Sequence, residues 1–408
     1  MKSTKAKLAI TAVIGFVLTV GACASPGGGG DAGGTDTSLD DMDTVTLSFQ
    51  TQASPQHPFG IAQQAFADEV TKETGGKVTI EPYFSGSLLA GDEDLSGLEE
   101  GVADMGSLFA TYHPQELPVT NWLTQMQSLR ADGTPHGFVQ ASAALQAFIS
   151  TSEPVQKEFE EHNLVALGGS SGSTNVNLLC KEPITSADDA KGKRVRVGGP
   201  VWAAEVKAMG FTPVSLTSPE IYEALERGVV DCDLSDPSTV ASFGFWEVAK
   251  YFHPVAASGA SSTIMVVNRD TWDSLPKEVH EILRRAMDNY NGRVLGAGLD
   301  GYKNFASKLD EEGVTIVDPA PLNEPLEAYQ EAYVSDELIK AAPAVVTDPE
   351  GFVKEWRSAL DWAMDLATEN AGSEPQPLGS PDDIKAGYLS GPDKFDVEKF
   401  KAGMAAGM

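Results

Sequence analysis

The 408-residue chain carries 59 acidic against 29 basic side chains, a formal net charge of −30. So acidic a molecule excludes nucleic acid as a partner, because phosphates need a basic surface. It is also longer than one ordinary core sustains, which points to two lobes.

The first residues, M-K-S-T-K-A-K, are cationic and lead into L-A-I-T-A-V-I-G-F-V-L-T-V. That run is too short for a membrane span and sits where the apolar region of an export signal belongs. V-G-A-C follows at residues 20 to 23, small residues before a cysteine as in the bacterial lipobox, with Val20 where leucine is usual. Residues 1–22 are therefore expected to leave as a lipoprotein signal peptide and Cys23 to carry the lipid. A plain cleaved signal, leaving a free thiol at the new terminus, is the alternative. Cleavage would remove three lysines and no acid and take the charge to −33. In residues 23–44 Cys23 is followed by A-S-P-G-G-G-G-D-A-G-G-T-D-T-S, too poor in apolar groups to fold, and the segment is expected to form a flexible tether. The body then works at the outer face of a membrane that it touches only through its N-terminal lipid.

From Thr44 the pattern alternates. T-V-T-L-S-F-Q predicts a strand, and F-G-I-A-Q-Q-A-F-A-D-E-V-T-K-E-T an amphipathic helix stopped by Gly75 and Gly76. K-V-T-I-E-P-Y-F follows as a strand, E-D-L-S-G-L-E-E-G as a helix and V-A-D-M-G-S as a short strand. A second pass runs from the strands L-V-A-L-G-G, T-N-V-N-L-L-C and R-V-R-V through a helix near Val201, the strand T-P-V-S-L and the helix S-P-E-I-Y-E-A-L-E-R-G to V-V-D-C-D-L. This is the signature of an α/β protein with largely parallel sheets and ligand chemistry at the carboxyl ends of the strands. Pro276 to about Glu312 predicts one long helix, suited to a spine along both lobes. Residues 45–172 with about 262–301 are expected as lobe I, 173–261 with about 302–370 as lobe II, and 371–408 as a loop-rich tail. The cleft between two lobes is the default place for a small-molecule site.

Two cysteines remain in the body, Cys180 and Cys232, in an oxidising compartment, and are expected to pair. Two small buried hydrophobes is the other reading. G-G-S-S-G at 168–172 matches the nucleophile elbow of serine hydrolases, but the residues after Ser170 alternate as a strand where the elbow needs a helix. A hydrolase using Ser170 is carried as the alternative function. G-D-E-D-L-S-G-L-E-E-G-V-A from Gly91 resembles a calcium loop, yet Ala103 stands where the bidentate glutamate belongs, so no metal is expected. No cofactor and no catalytic residue are expected either.

The stretch K-G-K-R-V-R-V-G-G-P at 191–200 is basic in an acidic chain. Alternation puts Arg194 and Arg196 on one strand face, and G-G-P turns the chain tightly into the next helix. Arg196 thus ends a strand beside a helix N-terminus, a good receptor for a carboxylate. Lys191, Lys193 and Arg194 read as a solvated strand entry.

Taken in order, these blocks resemble the solute-binding proteins of tripartite ATP-independent periplasmic (TRAP) transporters, the DctP family. The matching blocks are H-P near the start, the G-D loop with V-A-D-M, P-I-T-S-A-D-D-A-K-G-K-R-V-R-V, M-G-F-T-P-V, S-P-E-I-Y-E-A-L-E-R-G-V-V-D, W-E-V-A-K-Y-F and N-R-D-T-W-D-S-L-P-K-E-V. The resemblance spans roughly residues 45 to 370. It implies a two-lobed periplasmic-binding-protein-like clamp with a long connecting helix, monomeric, that closes on a small organic acid and delivers it to an integral membrane permease. It implies that Arg196 forms a salt bridge with the ligand. Where sialic-acid-binding members carry a second arginine stands Val176, between Asn175 and Asn177. The family's D-G-Q-E-N-P reads D-C-D-L-S-D-P here, which places Ser235 at the asparagine position and adds Asp236, either a ligand contact or a helix cap. Trp202, Phe109 and Tyr112 are candidate cleft walls or core residues. Gln52 and His57, both after the first strand, complete the candidates; His57 is otherwise a plain loop histidine. A ligand sensor without its own permease is the third reading.

Overall fold

The computed structural model describes residues 34–35, 37–129, 133–259, 262–372 and 380–407. The signal region and Cys23 lie outside the described residues. The first half of the body runs β1 (Val45–Thr51), α1 (Pro58–Glu73), β2 (Val78–Tyr83), α2 (Asp94–Glu99), β3 (Met105–Phe109), α3 (Pro118–Gln125), α4 (His136–Thr151), α5 (Glu153–Glu161) and β4 (Leu164–Ser171). The second half runs β5 (Val176–Cys180), α6 (Ala187–Ala190), β6 (Arg194–Val197), α7 (Pro200–Ala208), β7 (Thr212–Ser215), α8 (Ile221–Glu226), β8 (Cys232–Ser235), α9 (Pro237–Phe243) and β9 (Tyr251–Ala257). Then come β10 (Ser262–Asn268), α10 (Arg269–Ser274), α11 (Lys277–Lys308), β11 (Thr315–Ile316), α12 (Ala320–Ala332), α13 (Pro349–Ala371), α14 (Pro381–Ser390) and α15 (Val397–Gly407).

These strands form two sheets, in the orders β2-β1-β3-β10-β4 and β11-β9-β5-β8-β6-β7. The chain crosses from the first to the second between Ser171 and Val176 and returns between Ala257 and Ser262. Both sheets are mixed rather than largely parallel. The α/β units β1–β3 and β6–β8 pair in parallel, whereas β10 runs antiparallel to β3 and β4, and β5 antiparallel to β8 and β9. The reversed strands are the ones that carry the chain between sheets, so each enters without the crossover helix that parallel neighbours require.

Alternation in β1 points Leu47 and Phe49 at a core that α1 completes with Phe59, Phe66 and Val70, all buried. The 32-residue α11 would be about 48 Å long at 1.5 Å per residue. Val279 to Val294 pack it on the first sheet's core, and Phe305 reaches Phe252 of the second sheet with ring centroids 4.8 Å apart. It is thus the spine expected from its sequence.

Three regions differ from the sequence reading. α13 packs on α4, with Phe352 and Trp356 edge-on to Phe148, so residues 349–371 join the helices of the first sheet and not lobe II. Its apolar stripe Phe352, Trp356, Leu360, Ala363 repeats at helical spacing and finds its complement there. Residues 371–408, expected to be loop-rich, include α14 and α15; Ile384 and Tyr388, and Phe400 and Met404, lie four residues apart and are buried as helical pairs. At the other end, residues 37–44 of the expected tether are anchored: Lys77 donates to the carbonyls of Asp40 and Met42.

Cys180 and Cys232 face each other in register on β5 and β8 and form a disulfide, with Cα atoms 4.1 Å apart. It closes a sequence separation of 52 residues inside the second sheet.

Candidate ligand-binding site

The carboxyl ends of β6 and β8 meet the segment after β3 around a cavity of ≈ 40 Å³ lined by residues of both halves, among them Phe109, Thr111, Tyr112, Arg196, Trp202 and Asp236. A cavity that size holds roughly three waters. A groove of ≈ 600 Å³ adjoins it, and Thr111, Tyr112 and Gly198 line both spaces. Tyr112 therefore stands between the inner cavity and its mouth.

Arg196 is the only cation among the described residues lining the cavity and is 4% exposed. Its Nε donates to the Leu216 carbonyl at 2.8 Å and its Nη2 to the Tyr112 hydroxyl at 3.4 Å. Its Nη1 lies 3.7 Å from Asp233 Oδ1, an ion pair longer than a hydrogen bond. The strand register explains the pair, since Arg196 and Asp233 are direct neighbours on β6 and β8. Asp233 is fully buried, and neither oxygen makes a hydrogen bond of normal geometry. Loss of water pushes its carboxyl up to about 6, against the pull of Arg196.

Two glycines let the halves come together. A Cβ on Gly199 would sit 2.6 Å from Thr111 Cβ, so only a glycine admits Thr111 this closely. A Cβ on Gly198 would touch both Arg196 Nη2 and the Trp202 ring at 3.4 Å. Across this seam the Tyr112 hydroxyl accepts from Ser218 N at 3.2 Å and pairs with Ser218 Oγ at 3.2 Å. The Tyr112 ring leans on Phe109, centroids 5.3 Å apart, and Phe109 meets Phe59 edge-on.

A second link lies deeper. His57 caps α1: its Nδ1 accepts from Phe59 N, which leaves Nε2–H to face Thr239 Oγ1 at 3.1 Å. Thr239 in turn donates to Asp236 Oδ2 at 2.6 Å. Burial lowers the His57 pKa despite Asp236 nearby, so the ring is neutral in this chain of hydrogen bonds. Asp236 also caps α9, its Oδ1 accepting from Ser238 N and Thr239 N. It does so while lining the cavity, so its two readings are not exclusive.

The chain matches the model of the bacterial extracellular solute-binding proteins, family 7 (DctP), over residues 49–337. It belongs to that family. This family-7 protein is 24% identical over 274 residues, 66% of its own length and 79% of the relative's, to the C4-dicarboxylate-binding periplasmic protein DctP of Rhodobacter capsulatus. It is 25% identical to a solute-binding protein of Sulfitobacter sp. (strain NAS-14.1), covering 69% of this chain and 84% of the relative. Among solved structures it resembles DctP7, a Bordetella pertussis extracytoplasmic solute receptor binding pyroglutamic acid, with a TM-score of 0.66 at 21% identity over 77% of this chain and 100% of that one. A TRAP periplasmic solute-binding protein from Sulfitobacter sp. NAS-14.1 with bound β-D-galacturonate gives 0.61 at 21% identity, with the same two coverages. The two-lobed α/β clamp is thus the family's fold.

The remaining sequence candidates are distributed unevenly in this family-7 protein. Ser235 lines the cavity, and Trp202 walls it while its indole N–H donates to Ser258 O at 2.8 Å. Gln52 lines only the outer groove, where its amide donates to Leu89 O and Asp94. Asn175 and Asn177 are turned away: their amides donate to Ala257 O and Val255 O of the neighbouring strand, and Val176 between them lines the cavity. Ser170 lies inside β4, fully buried, with no hydrogen-bond partner on Oγ, so no base activates it; the family is one of solute-binding proteins, not enzymes. In the loop that resembles a calcium site, Asp94 is buried and bonded to His113 Nε2 at 2.7 Å.

Sequence reasoning missed Asp233, Thr111, Ser218 and Thr239. Asp233 had a signal, because in C-D-L the flanking Cys232 and Leu234 face the core and leave the aspartate on the face of Arg196. The other three are hydroxyls in turns and short helices, with no periodicity to mark them.

Proposed function

We propose that this protein captures a small organic acid at Arg196, closes its two halves over it and hands it to a TRAP-type integral membrane permease. The observation that carries the reading is Arg196, a single nearly buried guanidinium lining the cavity between the halves. A carboxylate placed there gains a charge-assisted pair with little competing water. The relatives support an acid ligand, since one is named for C4-dicarboxylates and two similar folds hold pyroglutamic acid and galacturonate. Tyr112 stands between the cavity and the groove, so entry from the groove requires its contacts to Ser218 and Arg196 to part and re-form. Binding then drives closure through interactions that the ligand makes only in the closed state. Lipidation at Cys23 fits this role by holding the receptor beside its permease as a monomer on the extracytoplasmic face.

A thermal-shift screen of organic acids tests the site, because a ligand that binds only the folded state raises its melting temperature. At least one acid should do so in the wild type and fail in Arg196→Ala, with a loss of roughly 1.5 to 3 kcal/mol or more in binding. An acid that binds both proteins with equal calorimetric affinity would remove Arg196 from the site. Mass spectrometry of the mature N-terminus tests the anchor, which requires a diacylglyceryl group on Cys23.

A further inference from the structure

The charges around the cavity do not balance in the way a general acid receptor would need. Among the described residues, Arg196 is the sole cation lining the cavity, and the adjoining groove has none. The acids are Asp236 in the cavity and Asp92 and Glu220 in the groove, with Asp233 buried directly behind the guanidinium. Arg196 is therefore already neutralised from within. One ligand carboxylate can still dock on the edge of the guanidinium turned toward Tyr112, because Asp233 makes no normal hydrogen bond to it. Among the described residues that line the two spaces, a second carboxylate on the same ligand would meet no cation and would add to the charge of Asp236, Asp92 and Glu220.

What the far end of a ligand does meet is hydroxyl. Thr111 Oγ1 is buried, lines the cavity and has no hydrogen-bond partner, and Ser218 and Ser235 line it too. An unpaired buried hydroxyl is costly and is answered by a neutral polar group such as an amide, a lactam or an alcohol.

We infer that Asp233 sets the charge of this site and makes the protein a receptor for monocarboxylates with a neutral polar end, against dicarboxylates. It is a positioning residue: it acts on the ligand through Arg196. The inference rests on the carboxylate-receptor reading of Arg196 and deepens it.

The test uses the full chain and matched pairs of probes in which one carboxylate replaces a neutral polar group: succinamate and succinate, glutaramate and glutarate, galactonate and galactarate. Calorimetric affinities are measured for wild type, Asp233→Asn and Arg196→Ala. In the wild type the monoanion of the binding pair should be favoured at least tenfold. In Asp233→Asn that preference should fall at least fivefold, because the doubly charged probe gains more from losing the buried acid. A merely structural Asp233 would weaken both members of a pair alike and leave their ratio unchanged. The inference is overturned if the wild type binds a diacid as tightly as its partner, or if the ratio in Asp233→Asn stays within twofold of wild type. Should Asp233→Asn not fold, the wild-type ratio still overturns the inference where the diacid binds as tightly as its partner. If no probe binds at all, or if binding survives Arg196→Ala, the underlying receptor reading falls instead.

Discussion

On the first-sheet side of the cavity stand Phe109, Thr111 and Tyr112, with His57 held neutral beneath them; on the second-sheet side stand Arg196, Asp233 and Asp236. Both halves use the same device, a side chain at or just beyond the carboxyl end of a strand, but they divide the work. The second sheet holds the charge, fastens it with strand register and a disulfide, and excludes water from it. The first supplies a neutral wall whose single strong handle is the Tyr112 hydroxyl. Affinity should therefore be lost by changes on the second side, and closure by changes on the first.

The disulfide gives the largest effect. Replacing Cys180 and Cys232 with serine frees a closed loop in the second sheet and should cost about 4 kcal/mol in the chain-entropy account. Hydrogen exchange should then speed up in β5 and β8 more than in β1 and β3. Equal acceleration in both sheets would mean that the halves unfold as one and that the division is chemical only.

Titration separates the two buried ionisable groups of the second sheet. Asp233 has its pKa raised to about 6 by burial, so its contribution to stability is full below the unfolded value near 3.8 and is lost as pH rises through 6. His253, fully buried on β9 with Nε2 accepting from Ile184 N, is pushed down to about 4 by burial. Its contribution is full above 6.5 and is lost as pH falls through 4. The two oppose each other between about pH 4 and 7. Relative to wild type, Asp233→Asn should lose, and His253→Gln should gain, about 3 kcal/mol over that window on acidification. Denaturant melts at about pH 7 and pH 4 read both; shifts of the same sign in the two variants would refute the assignment.

Gly199→Ala probes the seam. The added Cβ would crowd Thr111, and overpacking of this kind costs about 1–3 kcal/mol. The halves can part to relieve it, so the cost should fall on the closed state. Ligand affinity should drop about tenfold while the unliganded melting temperature holds; a melting temperature that falls with unchanged affinity would place the contact in the folding core instead.

Much of this was legible in the sequence, and the exceptions have physical causes. Arg196 could be placed because a four-residue strand between a basic entry and G-G-P has only one reading of its faces. The long helix α11 and the pairing of Cys180 with Cys232 followed from periodicity and compartment. Strand direction was not legible: β10 and β5 look like any other strand, and only the route of the chain between sheets reverses them. Asn175 and Asn177 flank the right position, but which face of β5 meets the cavity depends on its register with β9. The tail was misread because its prolines and glycines mask two short stripes, Ile384 with Tyr388 and Phe400 with Met404, that need α11 to bury them.

The smallest expected effect tests the first-sheet side most directly. Tyr112→Phe removes one hydroxyl that meets Ser218 and Arg196, and keeps the ring against Phe109. The Ser218 bonds are neutral and the Arg196 contact is long at 3.4 Å, so the hydroxyl contributes about 0.5–1.5 kcal/mol and affinity should fall roughly two- to tenfold. If Tyr112 acts on closure, the loss should appear in the dissociation rate, because the bond forms only when the halves meet. In the proposed capture at Arg196 through the open groove Tyr112 takes no part, so the association rate should stay within about twofold. A slower association with unchanged dissociation would move Tyr112 from the closing wall to the entry path, and the two sides of the cavity would then share the work of capture.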